Sequence, residues 1–263
     1  KLLRLVCEAA SLEPRDLVPV RTIFRDGMAS GVRTYALTRE EFLGESFTDI
    51  LYDGCEMIGY RDCPDMMSKL ARVCAMDRRA TIFAYWDSID AACHVQGSLS
   101  RGFLSALAAF DRFFGEFVCS PGSDGVLLLL TADHGHLDCP PERAVELKGH
   151  EDLLAALSQP PMGEPRLPYL HVKAGKLRQV FDYLDDHFSD VSYWMSSEKA
   201  FKARIFGPSG NPRWVSRAGD IILLPKKGWC CTYPHLSGER TLLGRHGGAS
   251  PQEMLIPLLW CRL

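Results

Sequence analysis

The sequence has no long hydrophobic run. Its uninterrupted apolar stretches are none longer than Val126–Leu130, far short of the roughly 20 residues a membrane-spanning helix needs. It also lacks an excess of either charge. Thirty Lys plus Arg stand against 33 Asp plus Glu, for a formal charge of −3, so the basic footprint of a dedicated nucleic-acid binder is missing. No internal repeat or low-complexity tract occurs, and none of the ten cysteines forms a C-x-x-C pair. The cysteines are scattered without repeated spacing, and a disulfide between the neighbours Cys230 and Cys231 would be strained. They read as buried or reduced thiols, which leans towards a reducing, cytoplasmic compartment. What is present, 46% hydrophobic and 24% charged residues over 263 positions, suffices for one globular domain or two small ones. That composition excludes a disordered, collagen-like or coiled-coil chain.

Residue 1 is Lys, and Lys1–Ala10 (KLLRLVCEAA) reads as a helix already under way with no N-cap before it. The expectation is a chain that begins inside a larger gene product, so the missing signal peptide carries little weight.

Strands alternate with helices, the pattern of an α/β fold with a central, largely parallel sheet flanked by helices. Strands are expected at Arg33–Leu37, Thr81–Trp86 and Val126–Thr131, the last apolar on both faces as a central strand should be. Helices are expected at Arg39–Leu51, from Pro64 to Met76, and at Ser98–Val118, where Phe103, Leu107, Phe110, Phe114 and Phe117 recur at helical spacing. Ser120–Gly125 reads as a turn. Beyond Cys139 the texture loosens around several prolines. A strand at Tyr169–Lys173, a helix at Lys176–His187 and a strand at Asp220–Leu224 suggest a smaller lobe inserted at about 139–240. Ser250–Leu263 returns to an apolar run suited to a last core strand, with Pro257 at its edge or end.

Three segments place His beside Asp or Gly at or near a strand end, where α/β folds put their ligand sites. In Tyr85–Gly97 (YWDSIDAACHVQG), Asp90 and His94 are four apart and share one face of a helical turn. Alone, such a pair is more often a surface pair. In Leu127–His136 (LLLLTADHGH), an apolar strand runs into Asp133 and His134. Burying those two costs several kcal/mol unless something pairs with them, and a metal ion is the usual compensation. In Leu242–Gly248 (LLGRHGG), glycines flank His246 and leave its imidazole accessible.

Together the three segments resemble the metal-binding segments of the alkaline phosphatase superfamily, and most of all its nucleotide pyrophosphatase/phosphodiesterase branch. The resemblance is close over Thr81–Gly97, Val126–Pro141 and Leu243–Leu258. It implies an alkaline phosphatase-like domain that hydrolyses phosphodiesters or nucleotide pyrophosphate links by in-line attack at two zinc ions. Asp90, His94 and His246 would hold one zinc, and Asp133 and His134 the other. Its substrate would be a small phosphate ester or nucleotide.

The resemblance also requires an Asp at the end of a first core strand and a Thr or Ser nucleophile opening a helix, both upstream of these segments. Asp53-Gly54 superficially resembles the Asp, but no Thr or Ser follows it at a strand-to-helix turn before Asp90. The expectation is a nucleophile preceding Lys1, with the chain forming the later part of the enzyme and inactive alone. Two alternatives stay open: a cofactor-independent phosphoglycerate mutase-type enzyme using manganese, and a non-catalytic binding protein that keeps the metal-site residues. Cys93 reads as a buried thiol, and Tyr85 and Trp86 as pocket lining or filler. His136, His150, His171, His187 and His235 read as surface or core residues, and Lys226 and Lys227 as a solvated turn.

Overall fold

The computed structural model describes residues 7, 9–17, 21–76, 79–120, 125–207, 212–234 and 242–263. The expected Lys1–Ala10 helix and Ser120–Gly125 turn lie largely outside these residues, and His235 entirely so. In chain order the elements are α1 (Ile23–Ala29), β1 (Arg33–Arg39), α2 (Ser46–Leu51), β2 (Glu56–Tyr60), α3 (Cys63–Met76), β3 (Ala80–Ala84), α4 (Ser88–Gln96), α5 (Arg101–Val118) and β4 (Leu127–Thr131). They continue with β5 (Leu137–Asp138), β6 (Ala144–Glu146), α6 (Glu151–Ala156), β7 (Met162–Glu164), β8 (Leu167–Leu170), α7 (Leu177–Phe188), β9 (Ser192–Ser196) and α8 (Ser197–Lys202). The last are α9 (Pro212–Arg217), β10 (Ile221–Pro225), β11 (Cys230–Thr232), β12 (Gly244–Arg245), α10 (Pro251–Met254) and β13 (Leu258–Arg262). The chain divides into two compact units. Among the described residues no helix is long and apolar enough to cross a membrane, and all ten cysteines are free thiols.

The first unit is built on a parallel sheet in the order β2, β1, β3. Central β1 is buried on both faces, with Tyr35, Ala36 and Leu37 at most 2% exposed, as a parallel strand paired on both edges should be. Helix α3 has Pro64 in its first turn and buries Met66, Met67 and Val73. Its start is capped by Asp62, whose carboxylate accepts from the Asp65 N–H at 2.9 Å. Helix α5 opens on Ser100, whose hydroxyl accepts from the Phe103 N–H at 3.1 Å, and it buries Phe117 fully while Phe110 and Phe114 pack beside it.

Two expectations fail in this unit. Arg39–Leu51 is not one helix: a 3-10 turn at Glu40–Phe42 is separated from α2 by Gly44 at φ +74°, a left-handed conformation that helical hydrogen bonding does not pass through. Strand β4 is also not buried on both faces. It pairs with β13, and the period-two alternation turns Leu128 into the core while Leu127 and Leu129 stay 63% exposed.

The second unit carries a four-stranded antiparallel sheet in the order β7, β8, β10, β9, within the stretch read as an inserted lobe. Strand β10 supplies the fully buried Ile221 and Leu223. Helix α7 packs Val180, Leu184 and Phe188, at i, i+4 and i+8, into the same core. Each such side chain contributes about 1.5–3 kcal/mol by leaving water. The expected strand at Tyr169–Lys173 is shifted: β8 is Leu167–Leu170, and beyond it the chain changes partner, with Val172 bridging Leu157 antiparallel and its N–H bonded to the Asp220 carboxylate at 2.7 Å. Two short ladders complete the unit, β11 with β6 and β12 with β5.

Candidate metal centre

All the site residues belong to the second unit, and two backbone devices bring them together. The first is the antiparallel pairing of β12 with β5, in which Arg245 faces Leu137 and Gly244 faces Asp138. The next positions outward are His246 and His136, whose rings lie 5.4 Å apart. The second is the approach of α4 to β12, where the Leu243 N–H donates to the His94 carbonyl at 2.9 Å and the His94 Nδ1 bonds the Gly244 carbonyl at 2.8 Å. A Cβ at Gly244 would collide with the Cys93 carbonyl, so only glycine permits this contact.

Asp90 is the centre of the cluster. On α4 its Oδ1 lies 3.3 Å from His94 Nε2, the one-turn relation the spacing suggests, and 2.8 Å from His136 Nε2. The His246 ring lies 5.1 Å from that of His94 and stacks on that of His134 at 3.6 Å and 13°. Two groups converge closely enough to share a cation: Asp90 with His134 and His246, and Asp90 with His94 and His136. Asp90, His94, His134 and His246 are thus brought together. Asp133 stands apart, 64% exposed, with Oδ2 3.7 Å from His134 Nε2.

Sequence reasoning missed His136, which is 10% exposed on Asp90. The available signal was its position two residues after His134, which in extended backbone returns a side chain to the same face.

Electrostatics suit a cation. Burial alone would raise the Asp90 carboxyl, but the His136 hydrogen bond and the imidazoles of His94, His136 and His134 outweigh it and hold the group below the usual carboxylate range. Burial, then the neighbouring imidazoles His134, His136 and His94, push His246 down to about 4. Asp90 is therefore ionised and His246 neutral at pH 7, the states a metal requires of its ligands.

A buried ion pair fixes the loops that carry the histidines. Arg166 and Glu253 form a bidentate pair at 2.9 and 2.7 Å, each side chain 1% exposed. The Glu253 carboxylate also accepts from the Gly248 N–H at 2.9 Å and the Ser250 hydroxyl at 2.5 Å. The Glu253 backbone carbonyl accepts from the Gly135 N–H at 2.8 Å. Glu253 thus ties the loop after His246 to the loop after His134. A side chain at Gly135 would strike the Gln252 carbonyl.

The donor set, imidazoles with carboxylate and no thiolate, fits zinc. The His94 bond to the Gly244 carbonyl is the kind of outer contact that would orient an imidazole towards a metal. The chain matches the type I phosphodiesterase / nucleotide pyrophosphatase family over residues 33–249 and belongs to that family. Among solved structures it is similar to an inactive form of murine ectonucleotide pyrophosphatase / phosphodiesterase 5 in complex with AMP, with TM-score 0.65 and 20% identity over 90% of this chain and 62% of that one. The human counterpart gives 0.64 and 19% over 90% and 62%. Phosphonoacetate hydrolase from Sinorhizobium meliloti 1021 in complex with phosphonoformate gives 0.66 and 14% over 91% and 68%. The shared fold is the alkaline phosphatase-like α/β architecture. The chain spans 62% of the length of the ectonucleotide relatives. No curated protein matches it.

Proposed function

We propose that the protein serves metal-dependent hydrolysis of phosphoric esters, of the phosphodiester or nucleotide-pyrophosphate type, with two zinc ions held by Asp90, His94, Asp133, His134 and His246. The observation that carries the reading is the convergence of Asp90, His94, His134 and His246, drawn from three separate segments, on one carboxylate. When bound, the ions supply positive charge beside the attacking and leaving oxygens of an in-line displacement. The chain's own residues prepare for that. Gly244 fixes the His94 ring, Asp90 is ionised, His246 is neutral, and Glu253 holds the loops after His134 and His246 in register.

No Thr or Ser of this sequence matches the nucleophile position that the resemblance requires, so none is assigned that role. Our reading is that the 263-residue chain by itself retains zinc and turns diesters over negligibly. The AMP complex of the murine relative supports a nucleotide as the ligand.

Titration calorimetry with AMP on zinc-loaded and zinc-stripped protein, with a chromogenic diester assay on the same samples, tests the reading. AMP binding that requires zinc, with negligible turnover, is the expected result. AMP binding that is indifferent to zinc contradicts it.

A further inference from the structure

We propose that Cys139 and Cys230 are an oxidisable dithiol, a modification site at which hydrogen peroxide closes a disulfide between the segment after β5 and strand β11. The inference is independent of the metal-centre reading. Three observations carry it.

The first is placement. Cys139 directly follows β5 and is held by its own N–H, which donates to the Leu243 carbonyl at 2.8 Å. Its Sγ lies 3.5 Å from the Trp229 carbonyl, the oxygen of the peptide bond that joins Trp229 to Cys230, and the two thiols share a hydrogen bond. Two positions distant in sequence thus stand side by side. Arg166 also donates to the Trp229 carbonyl, so that oxygen keeps a donor once Cys139 is oxidised.

The second is the choice of partner. Adjacent residues of a strand point to opposite faces. Cys231 turns into the apolar core with Leu147, Leu170 and Ile221, where burial pushes its thiol up to about 12. A disulfide between Cys231 and its neighbour Cys230 would also be strained. Cys230 faces Cys139 and the Arg245 guanidinium instead.

The third is access beside positive charge. Cys139, Cys230 and Arg245 line a cavity of about 400 Å³ whose wall includes Met162, 45% exposed, so that the cavity opens to solvent. The hydrogen bond from Cys139, with the charges of Arg245 and Arg166, outweighs burial and holds the Cys230 thiol below its ordinary value, whereas that same bond and burial raise Cys139, the donor. Cys230 is therefore the nucleophile and Cys139 the resolving thiol.

The Cys230 thiolate attacks one peroxide oxygen: the S–O bond forms, the O–O bond breaks and hydroxide leaves, giving a sulfenic acid. The Cys139 sulfur then attacks the Cys230 sulfur. The S–S bond forms, the S–O bond breaks, and the thiol proton leaves with that oxygen as water. Two electrons pass from the two sulfurs to the peroxide, and a dithiol reductant returns them.

The test is peptide mapping of the full chain, kept in chelator, before and after a small molar excess of hydrogen peroxide. Remaining thiols are alkylated in urea and the digest is read by mass spectrometry without reductant, with fragmentation to separate Cys230 from the adjacent Cys231. The expected result is the loss of two alkylatable thiols and a Cys139–Cys230 cross-link, reversed by dithiothreitol, while the exposed Cys119 stays alkylatable. Cys139→Ser should leave a sulfenic acid on Cys230 that dimedone traps, and Cys230→Ser should leave Cys139 unoxidised. The map of the unaltered chain needs no variant, so it decides the matter if either serine variant fails to fold. If Cys139 and Cys230 both stay alkylatable at a peroxide dose that oxidises Cys119, or if the cross-link forms through Cys231, the proposal is overturned.

Discussion

Replacing Glu253 by Gln removes one charge from a pair whose two side chains are each 1% exposed and leaves the volume nearly unchanged. Arg166 then stays buried and charged with no counter-charge, held by the neutral amide oxygen of the new side chain and the carbonyls of Pro225 at 3.0 Å, Lys226 at 2.9 Å and Trp229. Breaking a buried pair from one side costs about 3–5 kcal/mol, because the remaining charge is uncompensated. With a urea m-value of about 2–3 kcal/mol/M, the unfolding midpoint falls by about 1–2.5 M. The pH profile gives a second reading. Burial would raise the Glu253 carboxyl, but the bonds from Arg166 and Ser250 outweigh it and hold the group below the usual carboxylate range. A depressed carboxylate contributes its stability in full above its unfolded value near 4.3 and loses it as pH falls through the lower folded value. Glu253→Gln should therefore flatten the acid limb of the stability curve. Urea unfolding of both proteins between pH 3 and 8 measures both effects. A midpoint shift worth less than about 1 kcal/mol, or an unchanged acid limb, refutes the reasoning.

Gly135→Ala drives a methyl group into the Gln252 carbonyl and should destabilise by about 1–3 kcal/mol while weakening zinc binding, as read by thermal unfolding and chelator competition. Because burial and neighbouring imidazoles push His246 down to about 4, the folded protein refuses a proton that the unfolded chain accepts near 6.5. Stability should then drop as pH falls from about 6.5 towards 4, and ring-proton NMR should show His246 neutral at pH 5.5. Asp133→Ala should leave the tight zinc in place and remove only weaker binding, since Asp133 is 64% exposed and apart from both convergent groups. Calorimetric zinc titration separates the two classes.

Where one physical signal dominated, the sequence was easy to read. Strand β1, buried on both faces, announced itself by an apolar run, and α3 and α7 by helical periodicity with Pro64 at the start of the former. Asp90 and His94 were readable because four residues make one helical turn. Strands β2 and β9 were missed because Gly59 interrupts the first and Ser192 and Ser196 bound the second, so neither shows a clear apolar alternation. The exposed face of β4 was invisible because four consecutive leucines carry no phase. His136 depended on the pairing of β12 with β5, a contact between residues more than a hundred positions apart. The Arg166 and Glu253 pair is separated by 87 positions, and nothing local in either segment announces it.

The most direct test of the metal centre is the zinc content of the 263-residue chain after exhaustive dialysis, measured by plasma mass spectrometry alongside Asp90→Ala, with circular dichroism to establish that both are folded. The cluster predicts one tightly retained zinc per chain, lost when Asp90, the carboxylate shared by both convergent groups, is removed. Zinc retained undiminished by folded Asp90→Ala, or absent from the folded unaltered chain, would contradict it.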